Sequence, residues 1–264
     1  SAGLVALLTP LIQGQQEGWP LWTQASMAAS VALLVLFARW ERHVDASGGN
    51  ALVPPRLFAR ASFTGGVLLA MVYFAAFTSI FFTIALLWQA GLGHTALESG
   101  LVITPFAIGL IAGASQSDAL AARFGRSVLV VGVGLVAVGI TAAWFVLART
   151  PSADYSGWQL AAPLLIAGLG SGLFIAPNVD FIVATVDRQD AGAASGVIGT
   201  AQRVGSAIGI GIVSTILFGS LRFSPGPHAA ARAFGHSATL AMAASAGLSI
   251  AAFALVFALP KRAG

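Results

Sequence analysis

The chain has 264 residues, of which 57% are hydrophobic and only 8% charged. A soluble domain carries about 25% charged residues, so the composition excludes a protein that faces water on all sides. The formal net charge of +4 is spread over loops with no basic face, which gives no support to nucleic-acid binding, and the lack of cysteine excludes disulfides and zinc–thiolate sites.

Apolar runs of about 20 residues recur, the length that crosses ~30 Å of hydrocarbon. A barrel would instead show alternating segments of about ten residues. The chain therefore reads as an all-α integral membrane protein with about eight hydrophobic segments. The first run, Gly3 to Ile12, is roughly half a span and reads as a helix whose beginning lies before Ser1. A signal peptide is not expected, because no charged stretch or small-residue cleavage site accompanies the run. The polar turn from Gln13 to Pro20 is flanked by Trp19 and Trp22, which suit an interfacial anchor.

A second segment runs from Leu21 to Trp40 and ends in Arg39-Trp40-Glu41-Arg42-His43. The hydrophilic connection from Val44 to Ala61 follows, with Ser47-Gly48-Gly49-Asn50 and Val53-Pro54-Pro55-Arg56. Its glycines favour turns and its prolines lack a backbone donor, as in a surface linker. Six further segments are predicted: Phe63–Gln89, Ser99–Ala121, Ser127–Ala148, Trp158–Val186, Ala191–Ser220 and Ser237–Leu259.

When the loops are assigned to alternate sides, one side holds nine basic residues: Arg39, Arg42, Arg56, Arg60, Arg123, Arg126, Arg188, Lys261 and Arg262. The other holds three, Arg149, Arg222 and Arg232. The positive-inside rule then predicts that the linker, the Arg123 and Arg188 turns and the C-terminus are cytoplasmic.

The stretch from Gly168 to Gly209 concentrates the unusual features. Gly168, Gly170 and Gly172 alternate within an apolar run, and Ala176-Pro177-Asn178-Val179-Asp180 follows. Past the polar turn Asp187-Arg188-Gln189-Asp190 comes Ala191-Gly192-Ala193-Ala194-Ser195-Gly196, and then Arg203. Helix geometry puts Asp180 ~12 Å and Arg203 ~21 Å from the turn, a gap that a bent arginine stem spans. Charges in hydrocarbon face a bundle interior or a wet cavity, so the two are expected to interact, directly or through water. They either hold two helices in register, or Asp180 titrates during a transport cycle. Gln89 and Asn178 are neutral polar residues suited to a cavity wall. The aromatic residues of the third segment (Tyr73, Phe74, Phe77, Phe81, Phe82, Trp88) suit either packing or contact with a lipophilic substrate. Gly205 and Gly209 form a small-xxx-small step for close helix packing. The histidines fall in or next to loops, and no metal cluster or nucleophile–base pair suggests an enzyme.

Several stretches carry a resemblance to a known family. Trp40-Glu41-Arg42 and Leu52-Val53-Pro54-Pro55-Arg56-Leu57-Phe58-Ala59-Arg60 form one, and Leu87-Trp88-Gln89-Ala90-Gly91-Leu92-Gly93-His94-Thr95 with Ser99-Gly100-Leu101 and Pro105 forms another. With the Gly168–Gly209 stretch, in this order, the chain resembles the major facilitator superfamily, specifically its fourteen-helix drug:proton antiporter branch. The resemblance implies a linker helix pair over 1–43, a cytoplasmic linker over 44–61 and the C-terminal six-helix transmembrane bundle over 62–264. It also implies a six-helix N-terminal half as partner, together with the lipid bilayer and a small lipophilic or amphipathic substrate. No cofactor is implied, since the proton gradient supplies the driving force, and the expected location is the cell (inner) membrane. The family's cytoplasmic latch corresponds to Asp118, Arg123, Gly125 and Arg126, but Ala122 stands where the family has aspartate and Asp118 where it has glycine. The expected function is proton-coupled export. A non-transporting membrane module that serves an interaction partner is the other reading.

Overall fold

The computed structural model describes residues 20–47, 53–184, 186–223, 225–226 and 228–259, together with 3, 6, 9 and 10. The expected first segment, the Trp19 anchor, part of the glycine-rich linker and the basic residues Lys261 and Arg262 lie outside or mostly outside these residues.

The long described elements are all helical: α1 (Leu21–Ala46), the short α2 (Arg56–Ala59), α3 (Ala61–Leu86), α4 (Ala96–Phe124), α5 (Ser127–Arg149), α6 (Gly157–Val183), α7 (Ala191–Gly219) and α8 (Ala229–Ala258). Among the described residues, seven helices are long and apolar enough to cross a membrane. The chain is thus a multi-pass membrane protein, and its backbone polar groups are satisfied within helices, as a bilayer requires.

Local chemistry sets the helix ends. Thr95 starts α4 through a capping box in which its hydroxyl accepts from the Glu98 backbone N–H and Glu98 accepts from the Thr95 N–H. At the other end Gly125 adopts φ 53° and ψ −132°, a conformation costly for any residue with a Cβ, and so permits the sharp α4–α5 turn. Helix α3 ends in a π-turn, Leu87–Gly91. Helix α8 begins at Ala229, eight residues before the Ser237 expected from the hydropathy, so Arg232 belongs to its first turn and not to a loop. The run Ala229-Ala-Ala-Arg-Ala is strongly helix-forming, and that preference extends the helix past the apolar segment. Pro105, Pro163 and Pro177 all lie inside helices and end none of them.

Helices α3–α5 and α6–α8 form two three-helix units with matching neighbours. Helix α4 packs along α6, and α7 along α3; α5 packs on α6, and α8 on α3; α5 also meets α8, and α3 meets α6. Exchanging one unit for the other preserves this pattern, and the units run in opposite directions, which is the arrangement of an inverted repeat. The core contains Tyr73, Phe106, Val133, Ile140, Phe174 and Met242. A smaller cluster of Leu57, Phe63, Ile182, Ala194 and Ile198 joins the linker to the α6–α7 end.

Candidate functional site

The alternating glycines of α6 serve two neighbours. A Cβ on Gly168 would come within 3.0 Å of the Phe106 carbonyl oxygen, and one on Gly172 within 3.0 Å of the Leu110 oxygen, both on α4. Gly109 and Gly113 of α4 face the α6 backbone in return. Gly170 lies between these positions and instead abuts Gly132 and Val136 of α5. The same device recurs in the second unit, where Gly205 and Gly209 of α7 lie against the Met71 and Ala75 backbone of α3. In lipid, where the hydrophobic effect does not drive helices together, such close approach is the principal source of association.

The aromatic residues of α3 are chiefly packing groups. Tyr73 and Trp88 are buried, and Tyr73 lies against Phe174 of α6 with ring centroids 4.4 Å apart. Phe77 and Phe81 meet Phe106 of α4 edge-on at 5.6 and 5.1 Å. Asn178 is buried beside this layer and its Oδ1 has no hydrogen-bond partner among the described residues. Gln89 is exposed within the π-turn, an irregularity that is frequent at functional sites.

Asp180 and Arg203 are both exposed, and among the described residues no ion pair joins them. Of the two expected forms of interaction, direct or through water, the direct one is absent among the described residues, because each side chain leaves its helix on an open face of the bundle. Arg203 continues a row with Gly192, Gly196 and Gly199, spaced four, three and four residues along α7. A Cβ at any of these glycines would meet nothing within 4 Å.

The expected latch residues do not converge either. Arg126 donates to the Val256 carbonyl in the last turn of α8, where a cation also complements the helix dipole. Arg123 lies over its neighbour Phe124, 5.3 Å from the ring centroid. Asp118 is exposed, and the Ser117 hydroxyl donates to it at 3.4 Å.

A different set of charged contacts was missed by the sequence reading. Arg56 Nε and Nη2 donate to Asp190 Oδ2 and Oδ1 at 3.1 and 3.0 Å, a fork that grips both carboxylate oxygens. Arg60 donates to Asp187 at 2.9 Å. Glu41, nearly buried, accepts from the Val53 N–H at 2.9 Å. These contacts fasten the linker to the end of α1 and to the α6–α7 turn. The available signal was that Asp187 and Asp190 share a predicted side with Arg56 and Arg60. In the N-terminal part, Ser26 and Ser30 donate to the Ala6 and Gly3 carbonyls at 2.8 Å each.

This is a machinery of close helix contacts and clasped ends. Among the described residues no group of three or more His, Asp or Glu side chains gathers to hold a metal.

Comparison with known proteins completes the picture. Residues 1–210 match the family model described as Major Facilitator Superfamily. A probable actinorhodin transporter of Streptomyces coelicolor is 33% identical over 84% of this chain and 38% of its own length. A cephamycin export protein of Amycolatopsis lactamdurans is 28% identical over 85% of this chain and 46% of its own. A puromycin resistance protein of Streptomyces alboniger is 29% identical over 83% and 42%. The chain therefore spans less than half the length of each of these relatives.

Proposed function

The chain belongs to the Major Facilitator Superfamily, and on that premise we propose that it is the C-terminal part of a proton-coupled exporter of small lipophilic or amphipathic compounds. The observation that carries this reading is the inverted pairing of α3–α5 with α6–α8 about tight glycine contacts. Folds of this kind move substrate by rocking one such bundle against another around a site between them. The role belongs to transport, with no chemical conversion of the substrate and no cofactor.

The second bundle in this reading is a six-helix N-terminal half, and the open row Gly192, Gly196, Gly199 and Arg203 supports an interface there. Gln89 and Asn178 are the proposed cavity residues. The proposed site of coupling is Asp180 with Arg203, separated in this arrangement of the bundle and brought together through water or a moving helix. Asp118, Arg123, Gly125 and Arg126 form the proposed latch, with Arg126 as its anchor on α8.

The proposed location is the cell membrane, with the linker, the α6–α7 turn and the C-terminus in the cytoplasm. The Arg56–Asp190 fork supports a common side for the first two, and the Arg126–Val256 contact supports a common side for the α4–α5 turn and the C-terminal end of α8.

Everted membrane vesicles containing the full-length protein provide the test. A proton gradient should drive accumulation of a lipophilic dye, and Asp180→Asn should abolish it while leaving protein levels intact. Gradient-independent dye distribution would favour the non-transporting module. Undiminished accumulation with Asp180→Asn would remove Asp180 from coupling.

A further inference from the structure

The linker end of α1 is graded from apolar to charged. Leu33, Leu36 and Phe37 are exposed, an exposed Trp40 follows, and Arg42 comes just after it. The helix rises about 8 Å between Phe37 and Arg42, close to the depth of one interfacial layer of a bilayer. A tryptophan between the two marks that layer. At this level a cavity of about 290 Å³ opens between α1 and the linker. Phe37, Glu41 and Arg42 of α1 line it, together with Val53 of the linker and Phe58 of α2.

Two charged groups share this cavity, and neither is neutralised by the other. Glu41 is 6% exposed, and its Oε2 accepts from the Val53 N–H at 2.9 Å. Oε1 has no hydrogen bond or ion pair among the described residues. A carboxylate so far removed from water is tolerated when it is paired and hydrogen-bonded. The residue is otherwise enclosed by protein, so the cavity is the side from which a donor can reach it. Arg42 is its neighbour in sequence but is exposed, with no hydrogen bond or ion pair among the described residues. The cavity therefore has a place for a cationic N–H donor, a guanidinium for an anion, and Phe37 on the side of the membrane. A ligand that meets all three carries an ammonium, a phosphate and acyl chains.

We propose that this cavity binds the headgroup of a zwitterionic phospholipid of the phosphatidylethanolamine class, its ammonium donating to Glu41 and its phosphate accepting from Arg42. Basic pockets beside membrane helices hold lipid headgroups, and here the buried carboxylate adds a selection for the ammonium. The bound lipid bridges α1 and the linker, the two elements that the Glu41–Val53 contact already joins. The site is independent of the export reading and requires only that α1 crosses the membrane.

Native mass spectrometry of the full-length protein tests it, through the dissociation constant of the first lipid bound in detergent. Dioleoyl-phosphatidylethanolamine should bind roughly tenfold tighter than dioleoyl-phosphatidylcholine, whose quaternary ammonium has no N–H, as expected for a hydrogen bond to a charged group. Dioleoyl-phosphatidylglycerol, with no ammonium, should also bind more weakly. Glu41→Gln keeps an acceptor for the Val53 N–H and should bring the ethanolamine-to-choline ratio below about twofold. Arg42→Gln should weaken both of those lipids by roughly tenfold and leave their ratio unchanged. Arg39, which does not line the cavity, provides the control, and Arg39→Gln should change neither lipid by more than about twofold because its field is screened. Equal binding of the ethanolamine and choline lipids, or a ratio that survives Glu41→Gln, overturns the site. Equal losses in Arg39→Gln and Arg42→Gln would reduce the effect to surface charge and overturn it too. Soluble glycerophosphoethanolamine should bind far more weakly than the lipid, and equal affinity would overturn the lipid as the occupant. The lipid ratio of the unsubstituted protein and the exposed Arg42→Gln variant keep the test decisive should Glu41→Gln fold poorly.

Discussion

The glycines of α6 and those at the start of α7 come from one stretch of sequence but have opposite surroundings. Gly168, Gly170 and Gly172 lie against the backbones of two neighbouring helices, while Gly192, Gly196 and Gly199 face open space. Composition cannot separate the two sets, since both are glycines in helical runs of small and apolar residues; only the spacing differs, two residues apart in α6 and three to four in α7. The difference is one of partners: the first set is used up inside this bundle and the second is left on its surface beside Arg203. A glycine-rich signature can thus serve internal packing along one helix and an external face along the next.

The strongest way to break this comparison is to add one methyl group to the closed set. In Gly168→Ala the new Cβ would overlap the Phe106 carbonyl, a backbone atom that no rotamer change can move. Overpacking of this kind costs about 1–3 kcal/mol, and Gly168→Ala/Gly172→Ala should cost more because both lie on the α4 contact. Thermal unfolding in detergent, followed by tryptophan fluorescence, should show a clearly lowered midpoint. An unchanged midpoint would mean that α4 and α6 separate freely, and the distinction between closed and open glycines would fail.

Between the two sets lies the α6–α7 turn, held by the linker. Asp190 is 6% exposed and begins α7, so the Arg56 fork helps to fix where that helix and its open glycine row start. Removing one partner of a buried pair leaves the other charge uncompensated, but Arg56 is about half-exposed and solvent moderates the cost. Arg56→Ala should therefore destabilise by about 1–2 kcal/mol. A double-mutant cycle with Asp190→Ala should return a coupling of at least about 0.5 kcal/mol. Additive single effects would show that the turn stands without the clasp.

The fold was largely legible in the sequence because lipid imposes one simple rule on every segment. Helices α3 to α7 follow the hydropathy to within a few residues, and α8 departs only where alanine propensity extends it past the apolar run. Side-chain partnerships were less legible. Arg56 and Arg60 were counted for their sign alone, and nothing in their spacing revealed that Asp190 and Asp187 lie within reach across the linker. Asp180 and Arg203 presented the reverse problem. Their depths suggested a pair, but depth fixes only position along a helix, and their azimuths turn both toward an open face. Glu41 and Arg42 could be read as part of a helix end, whereas the cavity they share depends on how that end meets the linker.

The smallest expected effect gives the sharpest contrast. Gly196 has no atom within 4 Å of a built Cβ, so Gly196→Ala meets no steric resistance in this bundle. The substitution removes the backbone-entropy penalty of a mid-helix glycine, worth about 0.5–1 kcal/mol. Unfolding of this 264-residue chain in detergent should shift slightly upward, opposite in sign to Gly168→Ala. The full-length protein adds a second reading, because a partner helix seated on this row would meet the new methyl group. Gly196→Phe should then abolish efflux at normal protein levels, whereas the same substitution on a lipid-facing row should leave it intact. If stability rises and efflux is also unchanged with phenylalanine, the row is a lipid-facing surface, and the partner half packs elsewhere on the bundle.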